Sequence, residues 1–308
     1  MAKKALVLLN MGGPNNLDEV ELFLKNMFAD KNILPLIWPL RKLVATMIIK
    51  SRLEEAKENY RQIGAKSPLP KLTQNLVQKL QKVLGDETAV TAIMRYTPPF
   101  ADAVLKQLQS EGIEQIYLFP MYPQYSTTTT KSSVEDVYEC AKKLGFYPEF
   151  FTVESYFADE AYTDAVAKAI QTKLDKHPNY DVIFSAHGLP QSIIKKGDPY
   201  EKHIEKTVEL VSQKLQNFNK IHLAYQSKVG KGKWLEPSLE DTLKTIENKK
   251  VIIYPIAFTV DNSETVFELK IEYKEIAQKL GIQDYLVCNC LNASDDFVKL
   301  ICKIYQRM

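Results

Sequence analysis

Two groups of residues in this chain could move protons or hold a metal ion. One is His187, in the stretch Asp181-Val-Ile-Phe-Ser-Ala-His187-Gly-Leu-Pro190. The other is a row of carboxylates, Glu264, Glu268 and Glu272. The apolar Val-Ile-Phe run follows a turn-prone Lys176-His-Pro-Asn179, which predicts a short buried strand over 181–185 with His187 just past its end. In an open parallel sheet, ligands bind in the crevice beyond the carboxyl ends of the strands. A lone His is also an ordinary loop residue, so the second group matters. Glutamates at i, i+4 and i+8 stack along one helix face, where their charges repel. Either solvent, with Lys270 and Lys274 nearby, or a cation must compensate. Glu264 follows a strand-to-loop turn, as His187 does. An imidazole with a pKa of about 6.5 and a carboxyl held near neutrality by burial can pass protons between them. The same pair could hold a borderline divalent ion such as iron in passing, since imidazole and carboxylate both ligate it. A stable zinc site is not expected, because there is no His-Glu-x-x-His and no cluster with structural-site spacing.

The elements that must position these groups alternate along the chain. Strands are expected near 5–9, 88–94, 115–119, 150–153, 181–185, 219–225, 250–255 and 285–287. Helices are expected over 17–28, 41–62, 100–110, 132–143, 159–174, 200–216 and 294–306, with another ending near Leu84 and one carrying the glutamate row. This rhythm predicts an α/β protein of two Rossmann-like αβα domains with parallel sheets and a cleft between them. The expected domains are 1–130, including an apolar lip at 33–49, and 131–308, carrying His187 and Glu264, with the last helix packing back on the first. Gly12-Gly13-Pro14 follows the first strand but is neither Gly-x-Gly-x-x-Gly nor Gly-Lys-Ser/Thr. It signals a close approach to the backbone rather than a nucleotide. The loops after the strands hold Met11, Arg95, Tyr96, Tyr122, Tyr125, Ser126, Thr129, Lys228 and Trp234. Their aromatic rings and Met11 suit a flat hydrophobic ligand, and Arg95, Ser126, Thr129 and Lys228 could meet its peripheral carboxylates. The alternative is that each simply packs its loop.

Composition excludes several classes. A chain of 308 residues with 45% hydrophobic and 25% charged residues is globular, and a formal net charge of +2 does not argue for nucleic acid. Cys140, Cys288, Cys290 and Cys302 do not form a disulfide framework. They are read as core or surface thiols, an iron–sulfur cluster being the lesser alternative. The start, Met-Ala-Lys-Lys before Ala5–Leu9, meets Asn10 and two glycines too soon for a signal peptide, so a cytoplasmic protein is expected. The apolar lip is interrupted by Pro35, Pro39, Arg41 and Lys42, short of the ~20 residues that span lipid. Trp38 between two prolines and beside two basic residues suits contact with a membrane surface, or a loop packed onto its own domain.

Taken together these stretches resemble the ferrochelatases. The resemblance rests on Leu8-Leu-Asn-Met-Gly-Gly-Pro14, Ser67-Pro68-Leu69, Arg95-Tyr96, Tyr122-Pro-Gln-Tyr-Ser126, Phe184-Ser-Ala-His-Gly-Leu-Pro190 with Gly197-Asp-Pro-Tyr200, Gln226-Ser-Lys-Val-Gly230 with Trp234-Leu235, and Glu264-Thr265 with Glu272-Tyr273. It implies a class II chelatase-like fold and insertion of ferrous iron, a substrate, into protoporphyrin IX, with no certain cofactor. His187 would be the family's histidine, taking pyrrole protons or seating the metal, and Glu264 its partner on the opposite cleft wall. Glu268 and Glu272 would continue an acidic path for metal or protons, and Met11 would lie over the macrocycle. The Asn10-Met11 start is similar to the protoporphyrin-using members rather than the coproporphyrin-using ones. The chain departs from the family at Asn262, where Asp-His is usual, at Lys270, where an acid is usual, and at Lys228 for Arg. The resemblance leaves monomer or dimer open, along with peripheral membrane contact. The rival readings are a chelatase for another metal or for coproporphyrin III, and a non-catalytic tetrapyrrole-binding protein.

Overall fold

The computed structural model describes residues 3–227 and 232–308. Two compact units divide the chain. The first comprises Met1–Tyr122, Ser126–Glu154 and Val298–Met308, and the second Pro123–Tyr125 and Ser155–Phe297.

In the first unit, strands β1 (Lys4–Asn10), β2 (Thr88–Met94), β3 (Gln115–Pro120) and β4 (Glu149–Thr152) form a parallel sheet in the order β2-β1-β3-β4. Residues 131–154, assigned from sequence to the second domain, therefore belong to the first: β4 pairs with β3, placing Phe150 opposite Ile116. The helices associated with this unit are α1 (Glu19–Ala29), α2 (Trp38–Gln62), α3 (Leu69–Leu84), α4 (Ala101–Ser110) and α5 (Ser132–Leu144). Ala5 to Leu9 are fully buried in β1, the continuous apolar run that a sheet covered on both faces requires. Val7 and Leu9 pack with Leu105, Leu118 and Val137 in the core.

The second unit repeats this plan. Strands β5 (Asp181–His187), β6 (Ile221–Gln226), β7 (Lys250–Pro255) and β8 (Asp284–Val287) are parallel in the order β6-β5-β7-β8. Its helices are α6 (Glu160–Leu174), α7 (Gln191–Ile194), α8 (Tyr200–Ser212), α9 (Leu239–Thr245) and α10 (Tyr273–Lys279); α11 (Asp295–Tyr305) leads back into residues of the first unit. Both sheets follow the order second-first-third-fourth. In both, the third strand is followed by backbone wound with i→i+5 hydrogen bonds: Thr127–Lys131 after β3 and Glu264–Glu272 after β7. The duplication is structural, since the two halves show no convincing sequence repeat.

The lip is exposed. Ile37 is 74%, Trp38 68% and Met47 64% accessible, with Leu40 and Leu43 also exposed, whereas Ala45 is buried and Ile33 and Ile49 pack with the core of the first unit, so the lip keeps one face on its domain and turns the other to solvent. The Lys42 ammonium lies 5.6 Å from the Trp38 ring centre, a cation–π arrangement.

Candidate functional site

His187 is the last residue of β5, and its register partner on β6 is Gln226, so the two strands end level. Gly188 follows at a position where no side chain fits, because a Cβ there would stand 2.9 Å from the Gln226 carbonyl oxygen. The Gly188 amide donates to that same oxygen at 2.8 Å, which turns the chain sharply and leaves the imidazole at the sheet edge. The His187 carbonyl is held by the Tyr200 hydroxyl at 2.9 Å. Tyr200 is fixed in turn through its amide, which donates to Asp198 Oδ1 at 3.0 Å. The Gly-Asp-Pro-Tyr stretch thus braces the histidine. Nδ1 of His187 lies 2.6 Å from the Gly188 carbonyl oxygen, which can only accept, so the proton belongs on Nδ1 and the neutral ring offers its lone pair at Nε2.

Nε2 stands 3.6 Å from Glu264 Oε2. The two residues do not face each other from opposite walls; they meet inside the second unit. Sheet order is the reason. β5 and β7 are neighbours although β6 lies between them in sequence, so the segments leaving their carboxyl ends are adjacent.

Glu264 opens a π-helix rather than an α-helix, as the Tyr273 amide bonding the Glu268 carbonyl shows. Such winding is rare and concentrates at functional positions. Asn262 caps its start, its Oδ1 accepting from the amides of Glu264 at 2.8 Å and Thr265 at 3.3 Å. Asp261 anchors the same corner, accepting from Thr265 Oγ1 at 2.9 Å and Asn292 Nδ2 at 2.7 Å. Thr265 and Leu269 are fully buried, which turns the carboxylate row away from the core.

Along that row the environment is graded. Glu268 Oε2 accepts from Ser227 Oγ at 2.5 Å and from Gln226 Nε2 at 3.2 Å, and Gln226 is oriented by Ser185 Oγ at 2.7 Å. Removal from water, reinforced by the Glu264 charge, pushes the Glu268 carboxyl up to about 7, against the opposing pull of the Ser227 hydrogen bond and His187. Ser227 also reaches Glu264 Oε2 at 3.3 Å, joining the two carboxylates. Glu272 is exposed. The arrangement runs from a histidine lone pair, through a partly buried carboxylate and one that titrates near neutrality, to a carboxylate in solvent.

A family model described as ferrochelatase matches residues 3–308. The ferrochelatase of a Nitratiruptor species is 51% identical over 309 residues, covering 99% of this chain and 100% of that one. That of Sulfurimonas denitrificans is 50% identical over 315 residues and the full length of both chains. The chain belongs to the ferrochelatase family. The fold is shared more widely: SirB from Bacillus subtilis with Fe3+ superposes with a TM-score of 0.59 at 11% identity, covering 99% of this chain and 95% of that one.

A ferrochelatase is an enzyme whose metal ion is cargo. Among the described residues no group of three or more His, Cys, Asp or Glu side chains is gathered to hold a resident ion. All four cysteines are free, and burial pushes the Cys288 thiol up to about 12 and Cys290 further still, so both remain protonated thiols. Asn262 has a structural role here, since its side-chain oxygen caps the π-helix. Lys270 bonds Asn289 Oδ1 at 2.8 Å, away from the Ser227–Glu268 contact. Lys228 lies outside the described residues.

The residues expected to line a ring fall into two sets in this ferrochelatase. Met11 and Tyr122 follow the adjacent strands β1 and β3 on one sheet edge, with Thr129 in the π-turn beyond, and all three are half-buried. In the second unit Tyr125 and Trp234 are half-buried too, and Trp234 bridges Pro190 beside His187. The other set is engaged internally. Tyr96 is 3% accessible, donates to Asp30 Oδ2 at 3.0 Å and packs edge-on against Phe23, which makes it a core residue. Ser126 is buried, its Oγ accepting from the Thr128 amide at the start of the π-turn. The Arg95 guanidinium is spanned by Asp30 at 3.3 Å, Asp136 at 3.2 Å and Ser132 at 3.0 Å. The close approach expected at the glycines is made by the chain itself, since a Cβ on Gly13 would stand 2.5 Å from Ser67 Oγ. Sequence reasoning passed over Tyr200, Gln226 and Ser227 as site residues, although each stands in a stretch that carried the family resemblance.

Proposed function

We propose that this ferrochelatase inserts ferrous iron into protoporphyrin IX, with His187 and Glu264 acting as one proton-accepting pair. The observation that carries the assignment is the His187 Nε2 lone pair held 3.6 Å from Glu264 Oε2 and backed by Glu268. The reaction replaces two pyrrole N–H protons by one Fe2+, so charge balances only if both protons leave. His187 Nε2 accepts the first, the imidazolium formed is stabilised by the Glu264 carboxylate, and once that proton has been handed to the carboxylate row Nε2 accepts the second. Glu268, poised near neutrality, and Glu272 in solvent carry protons onward. The same imidazole and carboxylate suit ferrous iron on its way in. Anaerobic incubation with ferrous iron and either protoporphyrin IX or coproporphyrin III, followed by loss of free-porphyrin fluorescence, tests this reading. Turnover of protoporphyrin IX is expected to exceed that of coproporphyrin III. Preferential turnover of coproporphyrin III would assign the other porphyrin, and binding without insertion would leave a tetrapyrrole carrier.

The enzyme works in the cytoplasm, held to the membrane surface through the lip. Supporting this are the exposed Ile37, Trp38, Leu40, Leu43 and Met47 beside Arg41 and Lys42. Among the described residues no helix is long and apolar enough to cross a membrane. Sedimentation with vesicles containing phosphatidylglycerol should recover the protein in the pellet, and Trp38→Ser with Leu43→Ser should return it to the supernatant. Equal partition of wild type and double variant would remove the lip from membrane contact.

A further inference from the structure

The Pro123–Tyr125 segment lies between two stretches of the first unit yet belongs to the second. Its attachments are specific. The Tyr125 amide donates to His203 Nδ1 at 3.2 Å. The Gln124 side-chain amide reaches Thr207 Oγ1 at 3.2 Å and the Ile256 carbonyl at 3.4 Å, and the Pro123 carbonyl accepts from the Tyr156 amide at 3.0 Å. His203 and Thr207 are one turn apart on α8, so a single helix face grips two consecutive residues. The imidazole is clamped, stacking on Phe157 with ring centres 3.8 Å apart and 14° between planes. Thr207 Oγ1 bonds the His203 carbonyl at 2.7 Å and the Phe157 carbonyl at 3.2 Å, closing the cluster.

We propose that His203 is a positioning residue that fixes the Tyr125 backbone, and with it the ring this segment offers to the porphyrin. The proposal rests on the reading of Tyr125 as a porphyrin-lining residue. For Nδ1 to accept from an amide, the ring must be neutral with its proton on Nε2, the reverse of His187. Burial favours the neutral form, holding the ring below the ordinary histidine value against the pull of the Asp198 charge. Without the acceptor the Tyr125 amide loses this hydrogen bond, and the segment is held only by its Pro123 and Gln124 attachments, which leaves the Tyr125 end less constrained.

Three variants separate this role from packing alone. His203→Phe keeps a ring against Phe157 and removes the acceptor, whereas His203→Asn places an amide oxygen where Nδ1 stands. His203→Leu repeats the first reading if the Phe variant misfolds. The Kd for protoporphyrin IX, from fluorescence quenching without iron, is expected to rise roughly tenfold in the Phe variant and to recover within about twofold in the Asn variant. Hydrogen exchange at the Tyr125 amide should accelerate in the first and return in the second, while kcat at saturating porphyrin stays near wild type. Unchanged exchange in the Phe or Leu variant overturns the proposal, as does faster exchange with an unchanged Kd. The Kd and exchange outcomes are read without turnover, so an enzyme that binds porphyrin and inserts no iron would sink the proposed reaction and leave this inference standing.

Discussion

Replacing His187 by Ala is expected to lower the rate of iron insertion by about 10²- to 10⁴-fold, the range for losing a positioned general base, with porphyrin Kd nearly unchanged. The imidazole is one-third accessible at the end of its strand, so the protein should keep its fold. Glu264→Gln is expected to fall in the same range, because an amide cannot stabilise the imidazolium at Nε2. Its backbone anchor through Asn262 is independent of the side chain and survives the substitution. The two groups act as a unit, so the double variant should be little slower than either single one. Single-turnover insertion under anaerobic conditions checks all three. Near-wild-type insertion by His187→Ala would remove the histidine from proton transfer, and additive losses would mean that the two groups serve separate steps.

The pairing of these residues shows what sequence could and could not supply. Both sheets were legible because apolar runs such as Ala5–Leu9 and Val251–Tyr254 are long enough for buried strands and end in polar or Gly/Pro loops. That His187 and Glu264 stand beside each other was not, because it depends on strand order, and nothing local states that β7 crosses β5 to its far side. The boundary near 130 failed for the same reason: β4 is short and only partly buried, and only its pairing with β3 fixes its unit. The carboxylate row was legible and its winding was not. A spacing of four fits one face of an α-helix and of the wider π-helix alike, and the deciding hydrogen bond is between backbone groups. The pairing of Tyr96 and Arg95 with Asp30 was not legible either, because Asp30 lies 65 or more residues earlier in a helix-to-loop turn that carries no motif. Tyr200 was visible as part of a motif, but its hydroxyl contact to the His187 carbonyl is a tertiary fact.

Glu268→Gln is expected to make the protein more stable and the enzyme slower, with both effects dependent on pH. The Glu268 carboxyl rises from its ordinary 4.5 to about 7 in the folded protein, chiefly through burial and then through the Glu264 charge. Below about 4.5 the carboxyl is neutral in both folded and unfolded states and costs nothing. Between there and about 7 the folded chain keeps a proton that the unfolded chain has released, so stability falls as pH rises. Above 7 the whole cost of an ionised, desolvated carboxylate is present, on the order of 3.5 kcal/mol for a rise from 4.5 to about 7 at about 1.4 kcal/mol per pKa unit. Glutamine keeps an oxygen for the Ser227 and Gln226 donors and removes the charge. Urea denaturation should therefore find the variant more stable than wild type at pH 8, with the difference shrinking towards pH 5. For insertion, only the ionised carboxylate can take a proton passed from the His187–Glu264 pair. Wild-type kcat should climb through pH 7, and the variant should lose that limb and run on the order of tenfold slower above it. A variant less stable than wild type at pH 8 would mean that the ionised carboxylate is held by a compensating partner, and an intact limb in the pH profile would place the titrating acceptor elsewhere. Greater stability joined to lower activity cannot come from a damaged fold, because damage lowers both; it is the signature of a charge that the folded protein carries at a cost for its chemistry.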